Sequence, residues 1–386
     1  MKIRAITVGS DVSFPFDAHP IATAGRFAGR VRAAYEAQGV PVQTVRFATQ
    51  PFPAYLRGKS EREVLRFVLD LQQCCREHGM DYCALGPGDP ADPEDARLLE
   101  FLPHLIAETE VVFASALLGR ATQPIALTAA RVSARTMRAI AGATAGGFGN
   151  LRFAGVINCP PHIPFFPAAF HQGPPAFGLA LEAADVIAGA VMPGLELQEQ
   201  QVRIRDALET QARPLQDLAQ RLAATEFRYC GIDLSPAPGP APEDSIAYAL
   251  ERFGLGRFGE PGTLTAAATV TAALKATSLL TCGYCGLMLP VLEDAGLAER
   301  NNQGLLRLSS LLSYSAVCGT GLDTIPLPGD VSEEQLTALL LDVATLGWKL
   351  GKPLSARFFP IPGKHAGDLT DFDFSYFVNT RVMAIA

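Results

Sequence analysis

The chain has 386 residues, of which 48% are hydrophobic and 18% charged, and it carries a formal net charge of −7. This composition is that of a globular protein with a large buried core. A pI near 5.5 without clusters of Lys and Arg predicts no nucleic-acid partner, because binding to phosphates requires such clusters.

Short apolar runs alternate along the chain with longer segments of helical periodicity, a pattern that predicts parallel βα units. The predicted strands are Ile3–Val8, Val42–Phe47, Asp81–Leu85, Val111–Ala116, Phe153–Ile157, Arg228–Leu234, Leu279–Leu289, Ser315–Leu322 and Ser355–Pro360. The predicted helices are Ala22–Ala37, Glu61–Glu77, Ala130–Ala143, Glu182–Ala190, Leu195–Ala224, Pro242–Arg252, Thr263–Ala276 and Ser332–Leu350. About nine strands are too many for a comfortable open sheet, so we expect a closed α/β barrel with residues 1–386 as one domain.

No segment of the sequence predicts contact with a membrane. The first residues, "MKIRAITVGSD", form a β-like run without the apolar centre of a signal peptide. Long apolar stretches such as Leu279–Leu292 are interrupted by Cys, Gly and Pro and are too short to span a bilayer. We therefore expect a cytoplasmic protein with eight reduced cysteines, and a homodimer is a reasonable expectation for a chain of this size.

Polar side chains follow several predicted strands directly. In parallel α/β folds such side chains gather at the C-terminal ends of the strands, so we expect a site for a small-molecule ligand at that mouth of the barrel. The candidates in chain order are Ser10, Cys159, His162, Asp233, Glu293, Cys318, Asp323, Arg357 and Lys364.

Cys318 and the two aspartates are the candidates for catalysis. Cys318, in "AVCGTGLD", is a nucleophile or proton donor if a nearby cation lowers its pKa, and otherwise a buried cysteine. Asp233 and Asp323 end predicted strands, where each acts as a base or binds a ligand group, or else caps a following turn.

His162 lies in the proline-rich stretch "NCPPHIPFFPAAFH", which is either a stiff wall of the site with one catalytic histidine or a purely structural loop. Ser10, Glu293, Arg357 and Lys364 are the candidates for binding substrate. The two cations among them are suited to anchor a carboxylate or phosphate.

The sequence predicts no metal site and assigns no cofactor. Cys282 and Cys285 form a single CxxC in a predicted strand, where positions three apart point to opposite faces. Cys159 and His162 share a loop but lack further ligands. Neither a Walker motif nor GxGxxG after a strand is present, so no nucleotide fingerprint exists.

Several stretches together resemble a family of bacterial and archaeal proteins, domain of unknown function seven-eleven, over nearly the whole chain. The matching stretches are "MKIRAITVG", "GGFGNLRFAGVINCPPHIPFFPAAFH", "GPPAFGLALEAADVI", "GIDLSPAP", "FGEPGTLTA", "LPVLEDAGL", "AVCGTGLDTIPLPGD", "SARFFPIPGK" and "YFVNTRVMAI". The resemblance implies a barrel of about ten strands of the pyruvate-formate-lyase and anaerobic ribonucleotide-reductase type.

That fold type invites a hypothesis of radical chemistry with Cys318 as a thiyl carrier, but the sequence argues against it. Glycyl-radical enzymes keep their radical glycine in a C-terminal RVxG-like loop, and "TRVMAIA" has no glycine after Arg381 and Val382. We therefore predict an enzyme that acts on a small polar metabolite by acid–base or thiolate chemistry. Alternatives are a non-catalytic binding or regulatory protein and a metal-dependent hydrolase or lyase.

Overall fold

The computed structural model describes residues 1–120, 122, 125–223 and 226–385. The strands of this part of the chain are β1 (Lys2–Gly9), β2 (Val42–Ala48), β3 (Tyr82–Gly88), β4 (Val112–Gly119), β5 (Phe153–Ile157), β6 (Ala176–Glu182), β7 (Arg228–Ala237), β8 (Gly321–Pro328) and β9 (Leu354–Ile361). The α-helices are α1 (His19–Glu36), α2 (Pro53–Leu56), α3 (Glu61–Glu77), α4 (Pro93–Ala107), α5 (Leu127–Ala143), α6 (Ala184–Ala190), α7 (Leu197–Leu222), α8 (Ile246–Glu251), α9 (Thr263–Lys275), α10 (Ala295–Asn302), α11 (Leu308–Val317) and α12 (Glu333–Leu350).

The nine strands form one sheet in the order β7-β6-β1-β2-β3-β4-β5-β9-β8. Neighbours within β1–β5 are parallel, as are the pairs β6–β7 and β8–β9. The junctions β1–β6 and β5–β9 are antiparallel. The predicted α/β class is therefore confirmed and the sheet is mostly parallel, but its strands run in two directions rather than one.

Helices pack against the sheet because the strands are apolar on both faces, as parallel sheets require. All five residues of β5 are buried, and α1 packs Phe27 against Phe177 of β6 and against Phe227 just before β7. Capping boxes begin α3 at Ser60 and α12 at Ser332. None of the described helices combines the length and apolarity needed to cross a membrane.

The predicted strand Leu279–Leu289 is not a regular strand in the structure. In the described part of the chain, this stretch and the residue after it form isolated bridges, from Thr281 to Ile232 of β7 and from Pro290 to Asp323 of β8. Its backbone is irregular because Gly283 and Cys285 take positive φ angles of 75° and 43°. We call residues 279–291 the linking segment, because it hydrogen-bonds to both edge strands of the sheet.

Further segments differ from the sequence expectation, among them the unpredicted helices α2, α4 and α10. The predicted strand Ser315–Leu322 is the end of helix α11 followed by the start of β8, because a short apolar run does not distinguish a buried helix from a strand. Strand β6 was not predicted from the sequence. In the structure, all seven of its residues, "AFGLALE", are buried. The predicted helix Glu182–Ala190 contains only α6 and the end of that strand.

Candidate functional site

A cavity lies at the end of the sheet where β1–β5 begin and where β6 and β7 end. It encloses about 880 Å³ of empty space, part of it open to solvent. Its charged and phenolic lining consists of Arg4, Arg46, Tyr82, Tyr284, Glu293, Asp323, Arg357 and Tyr376. Its apolar lining includes Phe113, Leu151, Phe165, Phe166, Met288 and Phe374. Strands from the middle of the sheet and from both of its ends thus contribute to one cavity.

Arg357 of β9 lies at the centre of a buried ion-pair cluster. Its Nε and Nη2 donate to the carboxylate of Asp323 at 2.7 and 3.1 Å, and Nη2 also donates to Oε1 of Glu293 at 2.7 Å. Burial by itself favours the neutral guanidine, but the carboxylates of Asp323 and Glu293 more than offset it and raise the pKa of Arg357. The cluster therefore holds one permanent cation between two carboxylates.

A β-bulge places Asp323 opposite Arg357. The register of β8 against β9 shifts between Leu322 and Ile325, and Thr324 takes a φ angle of 44°. Bulges of this kind redirect a side chain out of the regular alternation of a strand. Asp323 was predicted to follow a strand, and it is instead the third residue of β8.

Arg4 of β1 extends the cluster from Glu293 to Glu182. Its Nη2 donates to Oε2 of Glu293 at 3.0 Å, and its Nη1 donates to Oε2 of Glu182 at 3.5 Å. Glu182 also accepts from Nζ of Lys2 at 3.1 Å. The guanidinium carbon of Arg4 lies 5.5 Å from the ring centroid of Tyr376, close enough for a cation–π contact.

Arg46 of β2 differs from the other two arginines because no carboxylate of the described residues lies within 4 Å of it. It is 8% exposed, and its Nε donates to Oγ1 of Thr44 at 2.9 Å. Its guanidinium lies over the rings of Tyr82 and Phe166, at 5.6 and 5.3 Å from their centroids. Burial, followed by the charge of Arg4, lowers the pKa of Arg46 to about 10. Arg46 is thus a buried cation at the cavity wall that has no anionic partner among the described residues.

Neither Cys159 nor Tyr284 supplies a reactive anion at this cavity. The Sγ of Cys159 donates to the hydroxyl of Tyr284 at 3.6 Å. Burial raises the pKa of Cys159 to about 12 and also raises the pKa of Tyr284. Both groups are therefore protonated near neutral pH, and the thiolate chemistry considered from the sequence has no activated thiol here.

Of the predicted catalytic and binding residues, the structure brings Glu293, Asp323 and Arg357 together at the cavity. The others, which do not line it, are Ser10, His162, Asp233, Cys318 and Lys364. The structure does not bring all these side chains to one end of the sheet, as was expected for strands of one direction. The antiparallel junctions send the C-terminal ends of the strands to opposite ends of the sheet.

Asp233 lies within β7, where its carboxylate accepts hydrogen bonds from the linking segment. Its Oδ1 accepts from the backbone and hydroxyl of Ser235 at 3.0 and 2.6 Å and from the backbone of Cys285 at 2.9 Å. Its Oδ2 accepts from the backbone of Tyr284 at 2.8 Å. Burial raises the pKa of Asp233, while these donors act in the opposite direction. All the donors belong to the protein, which indicates a structural role.

Cys318 and Lys364 also lie away from the cavity. Cys318 is fully buried at the end of α11, and burial raises the pKa of its thiol although Lys352 partly opposes this. Nζ of Lys352 donates to the carbonyls of Ser315, Ala316 and Cys318, so it caps this helix. Lys364 follows β9 and pairs with exposed Asp371 at 3.0 Å.

Ser10 and His162 lie at the opposite end of the sheet from the cavity. The hydroxyl of Ser10 makes a long contact of 3.5 Å to the carbonyl of Asp11. His162 has a φ angle of 67°, and its ring lies 5.4 Å from the ring of His171. Burial, the charge of His171 and the charge of Arg228 together lower the pKa of His162 to about 4. His162 is therefore neutral near pH 7.

This lowered pKa makes stability dependent on pH. The pKa of His162 is about 4 in the folded protein against an ordinary value of 6.5, so the unfolded chain binds more protons between these values. We expect wild-type stability to be full above pH 6.5 and to decrease by roughly 1–2 kcal/mol as the pH falls to 4 because of this residue.

Urea unfolding at pH 7.5 and pH 5 measures the effect, and His162→Gln should reduce the loss. His104→Gln, which removes an exposed histidine of α4, is the matched control. An equal loss of stability in wild type and His162→Gln would contradict the expectation.

The charged and phenolic members of the cavity lining that the sequence reasoning missed are Arg4, Arg46, Tyr82, Tyr284 and Tyr376. A usable signal was present for the arginines, because each stands inside an apolar strand whose neighbouring residues are buried on both faces. Charged residues are rarely buried without a partner. An arginine inside such a strand therefore indicates an interior polar site.

The described residues contain no group of three or more His, Cys, Asp or Glu side chains arranged to hold a metal ion. In the CxxC pair, Sγ of Cys285 donates to the carbonyl of Cys282 at 3.3 Å. Burial raises the pKa of both thiols, to about 12 for Cys285. The arrangement favours protonated, structural cysteines.

Comparison with known proteins gives the same family as the resemblance in the sequence. Residues 1–374 match the family described as "Uncharacterised ACR (DUF711)". A UPF0210 protein of Pyrobaculum arsenaticum is 32% identical over 370 residues, which cover 89% of this chain and 80% of the relative. A UPF0210 protein of Listeria monocytogenes serotype 4b is 27% identical over 413 residues, covering 96% and 88%. These descriptions state no reaction, so the cavity is the basis for inferring function.

Proposed function

The chain belongs to the DUF711 family, and we propose that it is an enzyme that binds a small anionic metabolite in the cavity and acts on it by acid–base chemistry. The observation that carries this proposal is the buried guanidinium of Arg46, which has no carboxylate partner in the part of the chain that the structure describes. A buried cation without an anion costs free energy, and an anionic ligand removes that cost. Arg46 is therefore the anchor of the ligand.

The neighbouring ion-pair cluster supplies the acid–base group in this proposal. Asp323 accepts a proton from the bound ligand, which keeps the role of base that the sequence assigned to it. Protonation of Asp323 frees the guanidinium of Arg357 to stabilise negative charge that develops on the ligand. Cys318, Asp233 and His162 have no part in this chemistry, because none of them lines the cavity.

We also infer that the sheet curves into a closed barrel around the cavity, with the linking segment as an irregular tenth strand. Two observations support this: the linking segment bridges to both edge strands, and both edges contribute to the cavity lining. Such a barrel agrees with the pyruvate-formate-lyase type implied by the resemblance. The chain would use it without a glycyl radical.

An Arg46→Met variant tests the anchor role. Methionine keeps the apolar stem against Tyr82 and Phe166 and removes the charge. The lost cation–π contacts and the relieved burial of charge act in opposite directions, so we expect the free energy of unfolding to change by less than about 1 kcal/mol. Ligand capture, measured by native mass spectrometry with a defined mixture of organic acids and phosphate esters, should be lost.

Arg97→Met, which removes an exposed arginine of α4, is the control and should keep capture. If Arg46→Met strongly destabilises the protein or leaves ligand capture intact, Arg46 is a structural residue and the proposal fails. A captured compound that is recovered unchanged after long incubation would instead assign the non-catalytic binding role. Capture that depends on an added divalent metal would assign the metal-dependent alternative.

A further inference from the structure

The charges inside the cavity point to the class of its ligand. Resting on the proposed function, we infer that the ligand is a monocarboxylate with an apolar body, rather than a phosphate ester. Three features of the cavity carry this inference: its charge balance, the free edge of Arg46 and the composition of its walls.

The first feature is that the charged side chains lining the cavity, three arginines and two carboxylates, leave a single positive charge after pairing. Arg357 pairs with Asp323 at 2.7 Å, and Arg4 pairs with Glu293 at 3.0 Å. Glu182 does not line the cavity. It pairs with Arg4 at 3.5 Å and with Lys2 at 3.1 Å, and Lys2 pairs also with Asp244. Of the three arginines that line the cavity, Arg46 alone has no carboxylate of the described residues within 4 Å. One uncompensated cation in a buried site matches a monoanion, whereas a phosphate dianion would leave a negative charge unpaired.

The second feature is the pair of terminal guanidinium nitrogens, Nη1 and Nη2, of Arg46. Its Nε is occupied by the hydroxyl of Thr44, and the guanidinium lies over the rings of Tyr82 and Phe166. No acceptor in the described ranges hydrogen-bonds to Nη1 or Nη2. These two nitrogens form a planar pair of donors, and a carboxylate accepts from such a pair with two parallel hydrogen bonds. Thus the available donors of Arg46 fit one planar anion.

The third feature is the apolar wall of the cavity that holds this donor pair. Phe113, Phe165, Phe166, Met288 and Phe374 line the same cavity. Ligand cavities bury apolar groups against such side chains, and their few polar groups fix orientation. A ligand with one carboxylate and an apolar body therefore uses both parts of the lining. The body then extends from Arg46 toward the apolar wall.

Three probes with one aromatic ring each separate the alternatives: phenylacetate, its neutral isostere phenylacetamide, and the dianion phenyl phosphate. We expect phenylacetate to bind in roughly the millimolar range by calorimetric titration of the full chain at pH 7.5. Phenylacetamide and phenyl phosphate should bind at least about tenfold more weakly, because the first lacks the charge and the second carries one too many.

The variants Arg46→Met and Arg97→Met complete the test. Phenylacetate binding should be lost in the first and unchanged in the second. If phenyl phosphate binds more tightly than phenylacetate and requires Arg46, the monocarboxylate inference is overturned while the proposed anion-binding function stands. If neither anion binds saturably, or if binding survives Arg46→Met, both the inference and the proposed function are overturned.

Discussion

Replacing Arg357 by methionine should lower the free energy of unfolding by about 3–5 kcal/mol, because the change leaves two buried carboxylates without their cation. Arg357 is 7% exposed, and it donates to both Asp323 and Glu293. Glu293 keeps one ion pair, to Arg4, and Asp323 keeps none among the described residues. Chemical denaturation at pH 7.5 measures the loss.

A triple variant with Arg357→Met, Glu293→Gln and Asp323→Asn removes the carboxylate charges as well. We expect it to recover a large part of the lost stability, because the penalty comes from unpaired charge rather than from the missing contacts alone. A single variant as stable as the exposed control Arg97→Met would show that Arg357 is not held in a buried cluster.

Replacing Asp233 by alanine should lower the free energy of unfolding by roughly 2–4 kcal/mol, since buried donors lose their acceptor. These donors include the backbone amides of Tyr284 and Cys285 in the linking segment. Amide hydrogen exchange at these two residues should accelerate more than exchange in β1, because their hydrogen bonds to Asp233 are removed. Ligand binding should weaken too, because Tyr284 lines the cavity.

The outcome for Asp233 separates the structural role from the catalytic role predicted from the sequence. A residue used only as a base is expendable for folding, so its replacement would leave stability and exchange unchanged. Asp217→Ala, on the exposed face of α7, is the control for loss of a surface carboxylate. If amide hydrogen exchange at Tyr284 and Cys285 is unaltered in Asp233→Ala, then Asp233 does not fix the position of the linking segment.

Strands β1–β5 could be predicted because each is a short apolar run bounded by breakers and buried on both faces. The linking segment was predicted as a strand from the same apolar signal, and the hydrogen bonds of Asp233 to Tyr284 and Cys285 hold it in an irregular path instead. The apolar periodicity of a short segment gives no information about a hydrogen-bond partner about fifty residues away in sequence. For that reason local periodicity failed at this position.

The candidate site, too, was predicted only in part from the sequence. Arg357, Glu293 and Asp323 were recognisable because charged groups beside or inside apolar strands require partners. Their association with Arg4 and Arg46 was not recognisable, because those residues lie in strands more than two hundred residues away in sequence. The thiol of Cys318 looked reactive in its glycine-rich context, but burial beside a helix end keeps it protonated.

The sequence by itself determined the α/β class, the family, most helices and strands, and which charged residues stand inside apolar segments. These properties depend on side-chain chemistry and on short-range periodicity, both of which can be read from the chain. Only the tertiary structure decided the direction of the strands at the two antiparallel junctions, and with it the end of the sheet that holds the cavity. Only the tertiary structure also showed that no carboxylate of the described ranges pairs with Arg46, because charge pairing depends on distances between residues remote in sequence.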